Sequence, residues 1–298
     1  MPDQSQRRAD RAAGLAEVGQ PGARLPVVAS ELAHRPTGLV SIHCASESRP
    51  KTPFVNTRPT AQHNAASTMK VAVLLAAYRA FDDGSWAADA PVLVHDTFAS
   101  AAGGTFSSTR DYDSDTAVWD RLGSEAPAGW LLERMIVRSS NLATNLAIEH
   151  LGFYAVNESW RIAGSPGCAV QRLIQDNRAG WLSNQVTAPG LSMLMKFVTS
   201  RSAATASSTA EMIGVLLANE HTSDVVAGLP TGTWVAHKNG WVEGIQHTTA
   251  LIRPGDAPGY LLTVCSSTGL PQDEGRQLVA EVARASWADR FLIAAAAA

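Results

Sequence analysis

The chain has 298 residues, a net charge of -3 and a pI of about 6.2. Hydrophobic residues make up 45% and charged residues 17%, which is the balance of a folded globular chain and not of a disordered one. The near-neutral charge and the lack of any basic run argue against a nucleic-acid or membrane-surface protein, and no stretch is apolar enough to span a bilayer, so the expected partner is a small molecule.

The first 25 residues are polar and charged and are expected to form a loose arm. Arg7-Arg8 has the look of a twin-arginine signal, but no apolar segment follows it, so the expected location is the cytoplasm. Leu39 to Ala45 reads as a strand. Turn-rich text runs from there to His63. From Ser67 the text is helical and apolar nearly all round, which predicts a buried helix that Gly84 ends. Trp130 to Val137 and Asn141 to Leu151 read as two helices joined at Ser139-Ser140, with Gly152 ending the second. Residues 164 to 187 read as irregular. A helix over Pro189 to Thr199 is expected to open with Thr187 as its cap, and another covers Ala210 to Leu217.

The pattern then changes to three strands, Trp234 to Lys238, Gln246 to Arg253 and Tyr260 to Ser266, and a closing amphipathic helix from Gln272 to Ala285. Strands near both ends bracket a helical middle. The expected fold is therefore α+β, an antiparallel sheet flanked by terminal helices with an inserted helical subdomain. The expected division is an arm over 1–25, a sheet subdomain over 26–66 and 220–298, and a helical subdomain over 67–219.

Three short motifs carry chemistry. Ser67-Thr68-Met69-Lys70 is an S-x-x-K, and i and i+3 share one helix face, so Lys70 is expected to reach the Ser67 hydroxyl. A serine is a poor nucleophile until a base takes its proton, and a lysine serves as that base when burial lowers its pKa. Ser139-Ser140-Asn141 is an S-x-N, in which Ser139 is placed to relay a proton and Asn141 to hold a substrate amide. Lys238-Asn239-Gly240 is a K-x-G at a strand end, where the lysine brings positive charge beside Ser139 and the glycine allows close backbone approach. Taken singly, each reads as well as a helix cap or a turn. Their joint occurrence in the right order is the stronger signal. The histidines show no i, i+4 ligand pairing and the three cysteines no zinc spacing, so neither metal nor cofactor is expected. Cys44 and Cys265 lie in strand-like runs that allow them to be neighbours. The acidic run from Asp111 to Asp115 reads as a solvated loop beside the cleft, and Trp181 and Trp241 as pocket walls.

With AASTMKVAVLLAAY, MIVRSSNLATNLAIEHLG and GLPTGTWVAHKNGWVEGIQHTTALI, the chain resembles the class A serine β-lactamases and the penicillin-recognising enzymes over roughly residues 36 to 290. The resemblance implies a covalent acyl-enzyme formed from an amide, ester or lactam. It implies Ser67 as nucleophile, Lys70 as general base, Ser139 as proton shuttle and Lys238 as the electrostatic partner. It also implies an oxyanion hole from the Ser67 and Trp241 N–H groups, with Asn141, Asn239, Gly240 and Tyr112 around the substrate.

The chain departs from that pattern in the segment VQRLIQDNRAGWLSNQVTAP, which lacks the deacylating glutamate and leaves Asp176 as the nearest acidic candidate. Asn239 replaces a hydroxyl that helps to bind the lactam carboxylate, Gln246 falls near a carboxylate-binding arginine position, and Trp241 is bulky. Weak or altered β-lactam deacylation follows as the expectation. The alternatives are an acyltransferase of the transpeptidase type and a catalytically silent binding protein on the same fold.

Overall fold

The three closing strands are buried on both faces along nearly their whole length, and the short connections 243–244 and 254–259 let them pair with their sequence neighbours. The structure, a computed structural model, describes residues 22–34 and 38–296. Strands β1 (Leu39–Ser46), β2 (Pro53–Thr57), β9 (Trp234–Val242), β10 (Ile245–Arg253) and β11 (Tyr260–Ser267) form one antiparallel sheet in the order β2-β1-β11-β10-β9. The first strand thus lies beside the last, and β9 is an edge. Three small pairs decorate the rest: β3 (His63–Asn64) with β8 (Gln185–Val186), β4 (Pro91–Leu93) with β7 (Glu125–Pro127), and β5 (Thr97–Ala99) with β6 (Thr105–Ser107).

The sheet separates two cores. On one face, α1 (Arg24–Ala33), α8 (Gln272–Ala288) and α9 (Arg290–Ala295) cover Val40, Ile42, Cys44, Leu262 and Val264. On the other face, Ala236, Leu251, Leu261 and Cys265 meet the helical part. That part contains α2 (Lys70–Asp83), α3 (Thr116–Trp119), α4 (Ala128–Val137), α5 (Asn141–Ile162), α6 (Ala188–Val198) and α7 (Ala206–Leu217). Helix α2 runs through its centre. Residues Lys70 to Tyr78 are all buried, as the all-round apolar pattern requires.

The expected α+β architecture is observed, with several differences in detail. The arm expected over 1–25 lies outside the described residues up to 21, and its last part is structured: α1 begins at Arg24, Leu25 is fully buried, and the Leu25 N–H donates to Asp289 at 2.7 Å. Gly152, at φ 77° and ψ 154°, ends the helix that begins at Asn141, as read, and the rest of α5 is a second helix that follows it directly to Ile162. Cys44 and Cys265 face opposite sides of the sheet and so cannot be partners. The cap at Thr187 is as read, its hydroxyl accepting from Gly190 N–H at 3.1 Å.

Four histidines lie within or beside the sheet, His43, His63, His237 and His247, and burial holds all four below the ordinary histidine range. His63 bonds the Ser41 hydroxyl at 2.9 Å and the Ser267 hydroxyl at 2.8 Å. His247 bonds the Asn64 carbonyl at 2.9 Å and accepts from Ser266 N–H at 3.0 Å. The Nδ1 of His43 is buried without a partner. Burial pushes His43 and His247 down to about 4 and His63 to about 3, the last helped by His247 and Arg58. Such histidines are neutral in the folded state and take up protons first in the unfolded chain. Stability is therefore fully present above about pH 6.5 and is lost as the pH falls toward 4, with a slope of about 1 to 4 kcal/mol per pH unit for one to three protons. Urea denaturation between pH 7 and 4.5 should show this fall, and His43→Leu should reduce the slope by about one proton's share.

Candidate active site

Ser67 does not start the α-helix. It sits in a 3-10 turn, Ala66–Met69, that runs directly into α2. Ala66 before it has φ +43°, a left-handed conformation that an alanine adopts at a cost of about 1 kcal/mol or more. The Asn64 side chain holds this bend by accepting from Ala66 N–H at 3.0 Å, and His247 holds the Asn64 carbonyl. The result lifts Ser67 to the floor of a cleft of about 710 Å3. Among the described residues its hydroxyl has no hydrogen-bond partner.

The edge strand β9 lies against this turn. A Cβ on Gly240 would stand 2.6 Å from Ser67 N and 2.8 Å from Thr68 N. No side chain fits there, which is why the K-x-G motif ends in glycine. Trp241 follows it and lines the cleft.

Behind the serine, two buried lysines converge on one hydroxyl. Lys70 Nζ donates to the Ser139 carbonyl at 2.7 Å, to Ser139 Oγ at 3.2 Å and to Asn141 Oδ1 at 2.9 Å. Lys238 Nζ donates to Ser139 Oγ at 3.1 Å and to the Asn239 carbonyl at 2.8 Å. Both lysines have no exposed surface. Burial pushes the Lys70 ammonium down to about 7, with Asp113 acting the other way. It pushes Lys238 well below the ordinary lysine range, and the charge of Lys70 adds to this. The bond expected between Lys70 and Ser67 is replaced by bonds to Ser139 and Asn141, so the sequence spacing places the lysine correctly but not its partner.

Ser139 has φ +59°. That conformation is held by a neighbour that sequence reading missed. The Asp113 carboxylate accepts from the N–H groups of Asn141, at 3.0 Å, and Leu142, at 2.8 Å, from Trp119 Nε1 at 2.9 Å and from the Ser140 hydroxyl at 3.3 Å. It caps α5 from a distant loop. Ser114 binds the carbonyls of Arg138 and Ser139, at 2.6 and 3.1 Å. Asp115 forms a two-pronged pair with Arg134 at 2.5 Å. The acidic run is thus a structural clamp and not only a solvated loop. Asn141 Nδ2 donates to the Tyr112 carbonyl at 2.5 Å, while the Tyr112 ring is 76% exposed at the cleft mouth.

Three expectations change. Asp176 does not line the cleft. Its buried carboxylate accepts from Ser100 Oγ at 2.8 Å, Ala101 N–H at 2.9 Å and Ala179 N–H at 3.3 Å, which leaves it structural and not a deacylation base. Asn239 is 2% exposed and turns away from the cleft toward His221 and Asp224. Trp181 is 72% exposed and is not a pocket wall.

Among solved structures, PBP-A matches with a TM-score of 0.74 at 18% identity, over 90% of this chain and 96% of that one. A β-lactamase from Sphaerobacter thermophilus matches with a TM-score of 0.76 at 20% identity, over 91% of this chain and 97% of its own. A variant of PBP-A described as an acyl-enzyme complex with penicillin G matches with a TM-score of 0.71 at 18% identity, over 89% and 95%. These likenesses establish the fold. No protein of curated function matches the sequence. The family model described as the beta-lactamase enzyme family matches residues 29–289, nearly the whole chain. The chain belongs to the beta-lactamase enzyme family.

Proposed function

We propose that this protein is a serine hydrolase that forms a covalent acyl-enzyme on Ser67 from an ester, amide or lactam carbonyl. The observation that carries the reading is the convergence of Lys70 and Lys238 on Ser139 Oγ, directly behind a serine that borders an open cleft. Family membership supports a serine acyl-enzyme hydrolase in general terms.

In this reading Ser67 Oγ attacks the carbonyl carbon while its proton passes to neutral Lys70 Nζ. Burial makes the neutral form accessible near pH 7. The developing oxyanion lies by the N–H groups of Ser67 and Trp241, on the two sides of the Gly240 contact. Collapse of the tetrahedral intermediate breaks the bond to the leaving group. That group takes its proton from Ser139 Oγ, which Lys70 or Lys238 resupplies. Water then attacks the acyl carbonyl and frees Ser67.

Deacylation is the slower half in this reading. On the side of the cleft formed by residues 171 to 184, the lining side chains include Arg172, Leu173, Ile174, Gln175 and Asn184, with no carboxylate among them. The PBP-A variant found as an acyl-enzyme with penicillin G is a precedent, in a neighbour of the same fold, for an intermediate that accumulates. The same lack of a base supports a second reading, transfer of the acyl group to an amine or alcohol.

Three outcomes test the assignment. Ser67→Ala is expected to abolish a mass adduct formed with a fluorescent penicillin or a phosphonofluoridate, and to lower any ester turnover by about 10³-fold or more. The acylation rate of the parent protein is expected to rise through about pH 7 as Lys70 loses its proton, the Lys238, Asp113 and His221 groups being the charged or titratable neighbours. A rate independent of pH from about 6 to 9 would remove Lys70 as the base. Asp113→Ala is expected to cost about 1 to 2 kcal/mol of stability through the lost cap and to slow acylation by about tenfold or more. Adding Ser140→Asp, which returns a carboxylate to the same helix end, is expected to restore part of both, read by thermal melting and by adduct formation.

A further inference from the structure

The end of the site beside Lys238 is closed and already holds a negative charge. Asp224 has no exposed surface, and three side chains from the sheet turn toward it. Thr248 Oγ1 donates to its Oδ2 at 2.6 Å, Gln246 Nε2 at 2.9 Å and Asn239 Nδ2 at 3.2 Å. Asn239 Nδ2 also donates to the His221 carbonyl at 2.9 Å. Above them the Trp241 ring meets His221 edge-on, with centroids 4.7 Å apart. Three side-chain donors of this strand pair are therefore spent on an internal carboxylate. Lys238 Nζ is spent in the same way, on Ser139 and on a main-chain carbonyl.

The open part of the cleft has the same sign. Asp111, Asp113 and Glu243 line it, Asp113 with its carboxylate bound to the end of α5, against a single lining arginine, Arg172, while burial holds Lys70 and Lys238 behind Ser67 below the ordinary lysine range. Arg172 gives one guanidinium N–H to the Asp176 carbonyl at 2.9 Å. A second carboxylate brought beside Asp224 would be desolvated and would meet like charge with no free donor. A neutral group loses nothing there, and a cation is favoured by the cleft's field.

We propose that this site selects acyl donors whose acyl group carries no carboxylate: neutral or cationic esters and amides. This rests on the reading of Ser67 as nucleophile. In the test reaction the Ser67 Oγ–acyl bond forms, the ester C–O bond breaks, 4-nitrophenolate leaves, and water later releases the benzoic acid.

The experiment uses three 4-nitrophenyl benzoates that differ in their para substituent, a methyl ester, a trimethylammonium or a carboxylate, with the full chain at low salt. The methyl ester and the trimethylammonium compound are expected to exceed the carboxylate in kcat/KM by about tenfold or more. Added salt and Glu243→Lys should each shrink the ratio of trimethylammonium to carboxylate rates. A carboxylate compound that reacts as fast as the neutral one overturns the proposal. An unchanged ratio in Glu243→Lys overturns the role given to the cleft acids. A neutral phosphonofluoridate, followed by intact mass, separates this from the reading it rests on. An adduct on Ser67 keeps the nucleophile whatever the ester series gives, and no adduct on the parent protein removes the nucleophile and this inference with it.

Discussion

Two lysine side chains reach one serine hydroxyl where neither has any contact with solvent, and much of the surrounding structure serves to make that arrangement tolerable. An ammonium ion taken out of water costs several kcal/mol unless other groups replace its hydration. Here the replacement is oxygen: the Ser139 carbonyl and hydroxyl, Asn141 Oδ1 and the Asn239 carbonyl. These acceptors come from two parts of the chain, the turn between α4 and α5 and the edge strand β9. The turn must present both its carbonyl and its hydroxyl to Lys70, and Ser139 does so in a left-handed conformation. That conformation is unfavourable alone, so it needs an external clamp. Asp113 and Ser114 supply it by holding the main chain on both sides of Ser139.

The same demand explains the order of the sheet. Lys238 can enter the site only if β9 is an edge strand, because a neighbouring strand on that side would occupy the space of the Ser67 turn. Gly240 then brings the edge within contact of Ser67 N. The pairing of β1 with β11 closes the sheet far from this edge and leaves it free of strand partners. The terminal helices cover only the opposite face. The architecture thus keeps one sheet edge free for chemistry while both faces are buried.

Much of this was legible in the sequence, and what was not has a physical cause. The strands, the buried helix after Ser67 and the three motifs depend on local periodicity and spacing, which a sequence displays directly. Asp113 was missed because its partners lie 28 and 29 positions away, beyond any local pattern. Its neighbour Asp115 is paired with Arg134, 19 positions on. Asp224 was missed for the same reason: a lone aspartate in a Thr-Ser-Asp stretch gives no sign that three strand side chains will turn toward it. Asn239 was placed in the cleft by analogy with a motif, although residues alternate along a strand and its neighbours Lys238 and Gly240 are the ones that face the nucleophile. The first helix did carry a signal. Leu25, Ala29 and Leu32 recur at helical spacing, but the polar text before them and Pro26 within the first turn hid it.

The site is asymmetric in how completely it is built. The groups to which the proposed reading gives acylation are built in: Lys70 and Lys238 both bond the Ser139 hydroxyl, Gly240 packs on the Ser67 main chain, and Asn64 and His247 hold the bend before Ser67. The groups that would release the acyl chain are not prepared in the same way. The acidic residue nearest to that task, Asp176, uses its carboxylate to fasten the loop at Ser100 and Ala101. A carboxylate so engaged holds its loop more firmly, but it has no lone pair directed at a water in the cleft. Preorganisation favours the transition state it is aimed at, and here it is aimed at acylation. The lifetime of the acyl-enzyme, and so the choice between water and another acceptor, then depends on what the largely uncharged wall from Arg172 to Asn184 admits beside the bound acyl group.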